Sequence, residues 1–395
     1  MDGKVNRVNG VLPMCIEAKE LGIKNIILPK ANANEAASIS ELNIIPVTNI
    51  EELVRHLKFE REIPKFSIKQ EKYKEKYNID FSEVKGQENV KRALEITAAG
   101  GHNCIMIGSP GSGKTMMAKR LVTILPELTI DEMMEITKIH SISGELKSDG
   151  IISNRPFRMP HHTVPISTII GGGRIPQPGE ISLAHYGVLF FDELTEYSRN
   201  VLESLREPLE NREIIINRLS GKYQYPCNFM FVASMNPCPC GYYGDEEKEC
   251  KCTEQERHRY LRKISGPLMD RIDIQIEVKR PKIEKVNSRD GVEKSSEIRR
   301  RVDKARKIQL DRYKNYKIHS NAELTTKMIT EFCTLDKKSD ELLQHAFKKF
   351  KFSVRAYERI LKVARTIADL DGSADIKVNH IAEAIQYRSL DKFQS

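Results

Sequence analysis

The run Gly108-Ser109-Pro110-Gly111-Ser112-Gly113-Lys114-Thr115 has the spacing G-x-x-x-x-G-K-[ST]. Glycines at these positions let successive backbone N–H groups turn toward phosphate oxygens. A helix starting there adds the positive end of its dipole. Lys114 is placed to reach β- and γ-phosphates, and Thr115 offers a hydroxyl to Mg²⁺. An apolar strand pattern over residues 104–107 precedes the run and a helical pattern follows it, which is the setting this chemistry needs. The pattern implies a site for ATP and Mg²⁺.

Two further stretches carry matching chemistry. Val188-Leu189-Phe190-Phe191-Asp192-Glu193 is an apolar strand ending in two acids, where a metal and an attacking water would sit. Asp192 suits the metal shell, and Glu193 suits the base that polarises the water. Phe231-Val232-Ala233-Ser234-Met235-Asn236 is a second apolar strand. Its terminal amide could sense the γ-phosphate or hold the water alongside Glu193. Separately, Cys238-Pro239-Cys240 and Cys250-Lys251-Cys252 form two Cys-x-Cys pairs around residues 241–249. Four thiolates so spaced could close a structural Zn²⁺ site with no open coordination position; reduced free cysteines are the alternative. Residues 241–248 supply turns and charges rather than catalytic groups.

The elements that must position these groups follow from periodicity. Continuous apolar runs at 188–191, 229–233 and 272–278 alternate with helical patterns, which predicts a mostly parallel sheet covered on both faces. An amphipathic helix is expected over 88–99. Residues 4–58 alternate strands (8–12, 25–28, 44–47) with helices (15–21, 34–41, 50–57), a small α/β piece that begins abruptly. Residues 60–80 are dense in Lys and Glu and read as a linker. Past a polar stretch at 280–296 the pattern is helical: 297–313, 327–332, 338–350, 354–370 and 378–387, the last capped by Asn379.

Composition narrows the classes. No apolar run approaches the ~20 residues of a membrane span. The start carries Asp2, Lys4 and Arg7 without an apolar core, so no signal peptide is expected and the cytoplasm is the expected compartment. Of eight cysteines, Cys15, Cys104, Cys227 and Cys333 are scattered, which fits a reducing compartment. The net charge of +9 is compatible with a polyanionic partner, and equally with lysines spread over solvated faces.

With these stations in order the chain resembles an AAA+ ATPase. Four strings narrow the likeness: Arg158-Met159-Pro160-His161-His162-Thr163, Gly171-Gly172-Gly173, Pro178-Gly179-Glu180-Ile181-Ser182-Leu183-Ala184-His185, and Ser265-Gly266-Pro267-Leu268-Met269-Asp270-Arg271-Ile272-Asp273. They look like the magnesium-chelatase-like AAA+ proteins of the YifB/ComM type, over nearly the whole chain. The resemblance implies an AAA+ core over 81–285 with a Cys-rich insertion at 238–252, and a helical lid over 286–395. It makes Arg271 the arginine finger offered to a neighbouring subunit and Arg355 the sensor arginine that reports γ-phosphate loss as lid movement. Arg359 and Arg365 share the helix of Arg355, and Arg359 lies on about the same face. A hairpin over 212–226, turning at Leu219-Ser220-Gly221, would project toward a ring pore with Arg218 and Lys222 as DNA-backbone contacts or as solvated charges. The loop ending in Arg174 is a second pore candidate. His161 and His162 typify the family without an assignable chemistry.

Residues 1–59 resemble the second half of a Lon protease-like (S5-like) domain, N-terminally shortened. The half that would hold the nucleophilic Ser is absent from this chain, and Met14 stands where the Lys base would be, so no proteolysis is expected. The resemblance implies a hexameric ATP hydrolase acting on DNA, with branch migration or helicase activity in recombination or natural transformation. A chelatase-type motor or a protein-remodelling ATPase without DNA activity is the alternative.

Overall fold

The computed structural model describes residues 2–39, 41–67, 77–146, 150–174, 176–218, 221–280 and 293–388. Its centre is a five-stranded sheet of β3 (Cys104–Ile107), β4 (Phe157–Arg158), β7 (Val188–Phe191), β10 (Met230–Met235) and β11 (Ile274–Glu277). The order is β11-β3-β10-β7-β4, with every neighbouring pair parallel. Every residue of β3, β7 and β10 is buried, the signature of strands covered on both faces.

Alternation along the strands divides the core. Met106, Phe190 and Val232 join the helix Glu88–Gly100 and the C-terminal helices in one apolar cluster. Ile105, Leu189, Phe191 and Ala233 point the other way and pack with Ile181, Val201, Leu205, Tyr260 and Leu268.

The C-terminal helices are Ser295–Arg312, Thr326–Phe332, Lys337–Phe350, Val354–Leu370 and Val378–Gln386. Ser353 caps Val354–Leu370, its hydroxyl accepting from the Ala356 N–H at 3.2 Å. Lys377, not Asn379, is the N-cap of the last helix, because Asn379 already lies within the first turn; the His380 ring nitrogen accepts the Lys377 N–H at 3.0 Å.

A buried polar knot ties these helices to the base of the sheet. Asp273, 2 % exposed, accepts the Asn103 N–H at 2.9 Å. It also pairs with Arg359 and stands 3.5 Å from the His102 ring. Burial works to raise the Asp273 carboxyl, but Arg359, His102 and the Asn103 amide outweigh it and hold it far below the usual carboxylate range.

The front unit pairs β1 (Asn25–Pro29) with β2 (Asn43–Val47) in parallel. Leu12, Leu28, Ala36 and Ile44 form its small core, which reaches Met134 of the helix Ile130–Ser143. The Gly10 N–H donates to the Ser141 carbonyl at 2.9 Å. Residues 8–12 are not the expected strand. The helix begins at Val11 (Val11–Glu20) and buries Val11, Leu12 and Cys15, because Pro13 in a first turn is compatible with a helix and the apolar run serves its face. The helix expected over 34–41 shrinks to Ala33–Ala36 after a 3₁₀ turn at Lys30–Asn32. Phe66, within the expected linker, bridges back to Ile44; residues 68–76 of that linker lie outside the described residues. Two smaller antiparallel ladders complete the chain: β5 (Gly171–Gly172) with β6 (Gln177–Pro178), and β8 (Glu213–Arg218) with β9 (Gly221–Pro226). Among the described residues no helix is long and apolar enough to cross a membrane.

Asp273→Asn should lower stability by about 3–5 kcal/mol, since it strips Arg359 of its buried counter-charge. The depressed carboxyl contributes fully above the unfolded value of about 3.9 and loses that contribution as pH falls below it. Calorimetry should therefore show the gap between variant and wild type narrowing below about pH 4.

Candidate active site

Parallel strands deliver the chemical groups to one edge. β10 lies between β3 and β7, so Asn236 at its end stands between the phosphate loop and the acidic pair. The Gly108 N–H donates to the Met235 carbonyl at 3.2 Å. Gly113 is left-handed (φ 92°) and N-caps the helix Lys114–Leu121, a conformation that costs a glycine little.

Lys114 is buried. Its ammonium donates to the carbonyls of Gly108 (2.7 Å) and Ser109 (3.0 Å) and to Asn236 Oδ1 (3.3 Å). Burial pushes that ammonium below its usual range, against the pull of Asp192 and Glu193. The Thr115 hydroxyl donates to Asp192 Oδ2 at 2.7 Å.

Ser234, which sequence reasoning passed over as part of an apolar run, organises both acids. Its hydroxyl donates to Asp192 Oδ1 and accepts the Glu193 N–H at 3.3 Å. Glu193 itself is exposed and held left-handed (φ 53°), a conformation costing a non-glycine residue about 1–2 kcal/mol. Strain of this kind concentrates where a side chain must be aimed.

These residues fit ATP and Mg²⁺. The Ser112 hydroxyl is buried in the loop with no hydrogen-bond partner, and an unsatisfied donor two residues before Lys114 suits a phosphate oxygen. Thr115 and Asp192 present the oxygen ligands Mg²⁺ requires. Ser109, Pro110 and Gly111 complete the loop, with Pro110 and Gly111 exposed at its outer rim.

Arg271 and Arg355 are at the other end. Ile274, the first residue of β11, pairs with Cys104, the first of β3, so the segment carrying Arg271 lies a strand's length, about 13 Å, from the phosphate loop. Arg271 is buried, donates to the Pro267 carbonyl at 2.6 Å and pairs with Glu210. Arg355 is 59 % exposed and 3.8 Å from Asp270. Its helix packs at the base of the sheet through Arg359, not over the phosphate loop of its own chain.

The two pore candidates meet. Tyr225 of β9 donates its hydroxyl to the Pro176 carbonyl at 2.9 Å. The Arg218 guanidinium lies so close to Gly172 that a Cβ there would stand 2.8 Å from it. Arg174, Arg218 and Lys222 are all exposed; residues 219 and 220 lie outside the described residues.

The four cysteines converge. Cys238, Cys240 and Cys250 sulfurs are 3.4–3.6 Å apart, and all four, Cys252 included, fall within 4.8 Å of one another. A tetrahedron of Zn–S bonds near 2.3 Å has edges of about 3.8 Å. The Cys240 N–H donates to Cys252 Sγ and the Cys252 N–H to Cys250 Sγ, each at 3.4 Å.

Comparison with known proteins places this geometry in a family. Residues 80–286 match the family described as magnesium chelatase, subunit ChlI, and residues 292–388 its C-terminal counterpart. The chain belongs to the magnesium-chelatase-like AAA+ family. Membership implies ATPase chemistry with ATP and Mg²⁺. Competence protein ComM of Haemophilus influenzae is 41 % identical over 395 residues, covering 99 % of this chain and 76 % of that protein. The uncharacterised protein YifB of Escherichia coli is 39 % identical over 398 residues, with the same coverage. A magnesium-chelatase 67 kDa subunit of Chlorobaculum parvum shares 26 % identity over 166 residues, 40 % of this chain and 23 % of that subunit.

In this magnesium-chelatase-like AAA+ site, Ser234→Ala should leave ATP binding within about twofold. Turnover should fall about 10- to 100-fold, as expected for losing a hydrogen bond to a charged group. Parallel measurement of nucleotide affinity and steady-state hydrolysis checks this, and unchanged turnover refutes the positioning role.

Proposed function

We propose that this chain is the subunit of a cytoplasmic, homo-hexameric AAA+ motor that hydrolyses ATP and acts on DNA. The observation that carries this reading is the separation of the two halves of the chemistry. Lys114, Asp192, Glu193 and Asn236 share one edge of the sheet, while Arg271 and Arg355 stand at the other, too far to serve the same nucleotide. Such a division is completed when one copy's arginines meet the next copy's phosphates, a head-to-tail contact that closes into a ring.

Lys114 and the loop amides hold the β- and γ-phosphates. Thr115 and Asp192 would hold Mg²⁺, which would offset the negative charge of the phosphates. Glu193, on its strained turn, takes a proton from the attacking water, and the Asn236 amide orients that water beside the γ-phosphate. Arg271 from the neighbour offsets charge on the transferring oxygens, and Arg355 registers their loss.

The DNA reading is supported by the exposed Arg218 and Lys222 on a hairpin that packs against the loop carrying the exposed Arg174, by the net charge of +9, and by the competence protein among the relatives. Cations so placed contact a phosphate backbone without reading sequence. Branch migration or helicase activity in recombination is the form of motor we favour. The cysteine cluster is proposed as a structural zinc site, because its sulfur separations approach those of a tetrathiolate tetrahedron and its N–H···S bonds stabilise thiolates. No proteolysis is proposed for the front unit, whose Met14 is exposed on a helix and cannot accept a proton.

Glu193→Gln should retain ATP while slowing hydrolysis about 10²–10⁴-fold. Mixing Lys114→Ala with Arg271→Ala chains should restore part of the turnover that each lacks alone, since mixed rings contain intact composite sites. No restoration would count against catalysis shared between copies. Single-stranded and four-way-junction DNA should stimulate hydrolysis in a salt-dependent way; indifference to DNA would favour a chelatase-type or protein-remodelling role.

A further inference from the structure

The excursion that carries the cysteines does more than protrude. Gly241, directly after Cys240, is left-handed (φ 85°) and packs so tightly on the phosphate loop that a Cβ would lie 2.7 Å from Pro110 Cδ. Arg280 then joins the two segments. It follows β11, whose end is fastened to β3 by the Val278 N–H to Ile107 carbonyl bond, so its side chain arrives at the phosphate-loop edge of the sheet. Its Nε lies 3.3 Å from Ser109 Oγ, and its Nη2 donates to the Pro110 carbonyl at 3.1 Å. On the other side it pairs with Asp245 at 3.3 Å and Glu247 at 3.2 Å, and its guanidinium lies over the Tyr242 ring. Lys279 adds a pair to Glu246 at 3.2 Å.

We propose that the metal-held cysteine knuckle is a strut for the phosphate loop, with Arg280 as the positioning residue that carries its geometry to Ser109 and Pro110. The proposal rests on the zinc reading above. Residues 241–249 contain no helix or strand, so their fixed shape needs another source of order, and cross-linking both ends through one ion supplies it. The phosphate loop has the complementary need. Its Ser109–Gly111 portion must hold one shape for its amides to converge on phosphates, and a preorganised loop binds without first losing that freedom. Metal loss would therefore weaken nucleotide binding at a distance, although no cysteine belongs to the nucleotide site.

The test compares purified wild type with Arg280→Ala, Arg280→Lys, Gly241→Ala, Cys250→Ser and, as a control at an exposed position of the knuckle, Glu249→Ala. Zinc per chain is measured by elemental analysis, affinity with a fluorescent ATP analogue, and amide hydrogen exchange over residues 108–115. We expect one zinc in wild type, Arg280→Ala, Gly241→Ala and Glu249→Ala. Affinity should fall at least tenfold in Arg280→Ala and Gly241→Ala, with faster loop exchange, and stay within twofold in Glu249→Ala. Arg280→Lys should recover part of the loss, because it keeps the charge facing Asp245 but not the fork. Cys250→Ser, or chelation of wild type, should lower zinc, affinity and loop protection together while the exchange of β7 and β10 is unchanged. Zinc-bearing Arg280→Ala and Gly241→Ala with wild-type affinity would overturn the strut and leave the zinc reading intact. Wild type without metal would overturn both.

Discussion

Every functional placement in this chain depends on one constraint, the common direction of the five central strands. In a parallel sheet all carboxyl ends emerge at one edge and all amino ends at the other. The edge after β3, β7 and β10 receives the phosphate loop, Asp192-Glu193 and Asn236. The same rule sends Arg280, two residues beyond Val278, to that edge, and leaves Arg271 and Asp273, which precede β11, at the opposite one. Hydrogen bonds between neighbouring strands set the register, as in Val232↔Cys104 and Ile274↔Cys104. A shift of one residue along any of them would exchange the two core faces and pull the acids away from Thr115.

How much of this was readable without coordinates followed the strength of each local signal. β3 and β7 were legible to the residue, because four consecutive apolar residues ahead of a glycine loop or an acidic pair leave little latitude. The C-terminal helices were legible to within a few residues at their ends from apolar periodicity alone. β4 was not: Phe157–Arg158 is two residues long, too short for any alternation to register, and it becomes a strand only because β7 offers it an edge. Residues 8–12 were misread because a short apolar run satisfies both periods, and the partner that decided between them, the helix Ile130–Ser143, lies far along the chain. Within the site, Lys114, Thr115 and the acids announced themselves by type. Ser234, Asp245 and Arg280 did not, since their roles arise from contacts between segments and a hydroxyl within an apolar run has no local signature.

The base of the sheet spends stability on charge in a way the nucleotide edge does not. Asp273 and His102 are buried with the partly buried Arg359 against them, and burial pushes the nearby Lys362 ammonium down to about 8. Such a knot is weak evidence for stability gained, but it makes the docking of the C-terminal helices specific, because removing any single partner strands another in low dielectric. It also stiffens the segment leading into β11, which carries Asp270, Arg271 and Asp273.

Arg271 makes that stiffness consequential. In the isolated chain its guanidinium is not idle: Pro267 and Glu210 occupy two of its nitrogens, while Nε is buried without a partner. An arginine held this way resists moving toward any new anion unless the new contact returns at least what the Glu210 pair supplies. A triphosphate bearing several charges would do so, whereas another single carboxylate would at best match Glu210, itself 59 % exposed. If Arg271 serves a neighbouring copy as proposed, the resting pair would act as a threshold: it would hold the guanidinium against weak anions and yield to a densely charged nucleotide. In the proposed ring, selectivity at that contact would come from the difference between two ion pairs, not from the strength of either one.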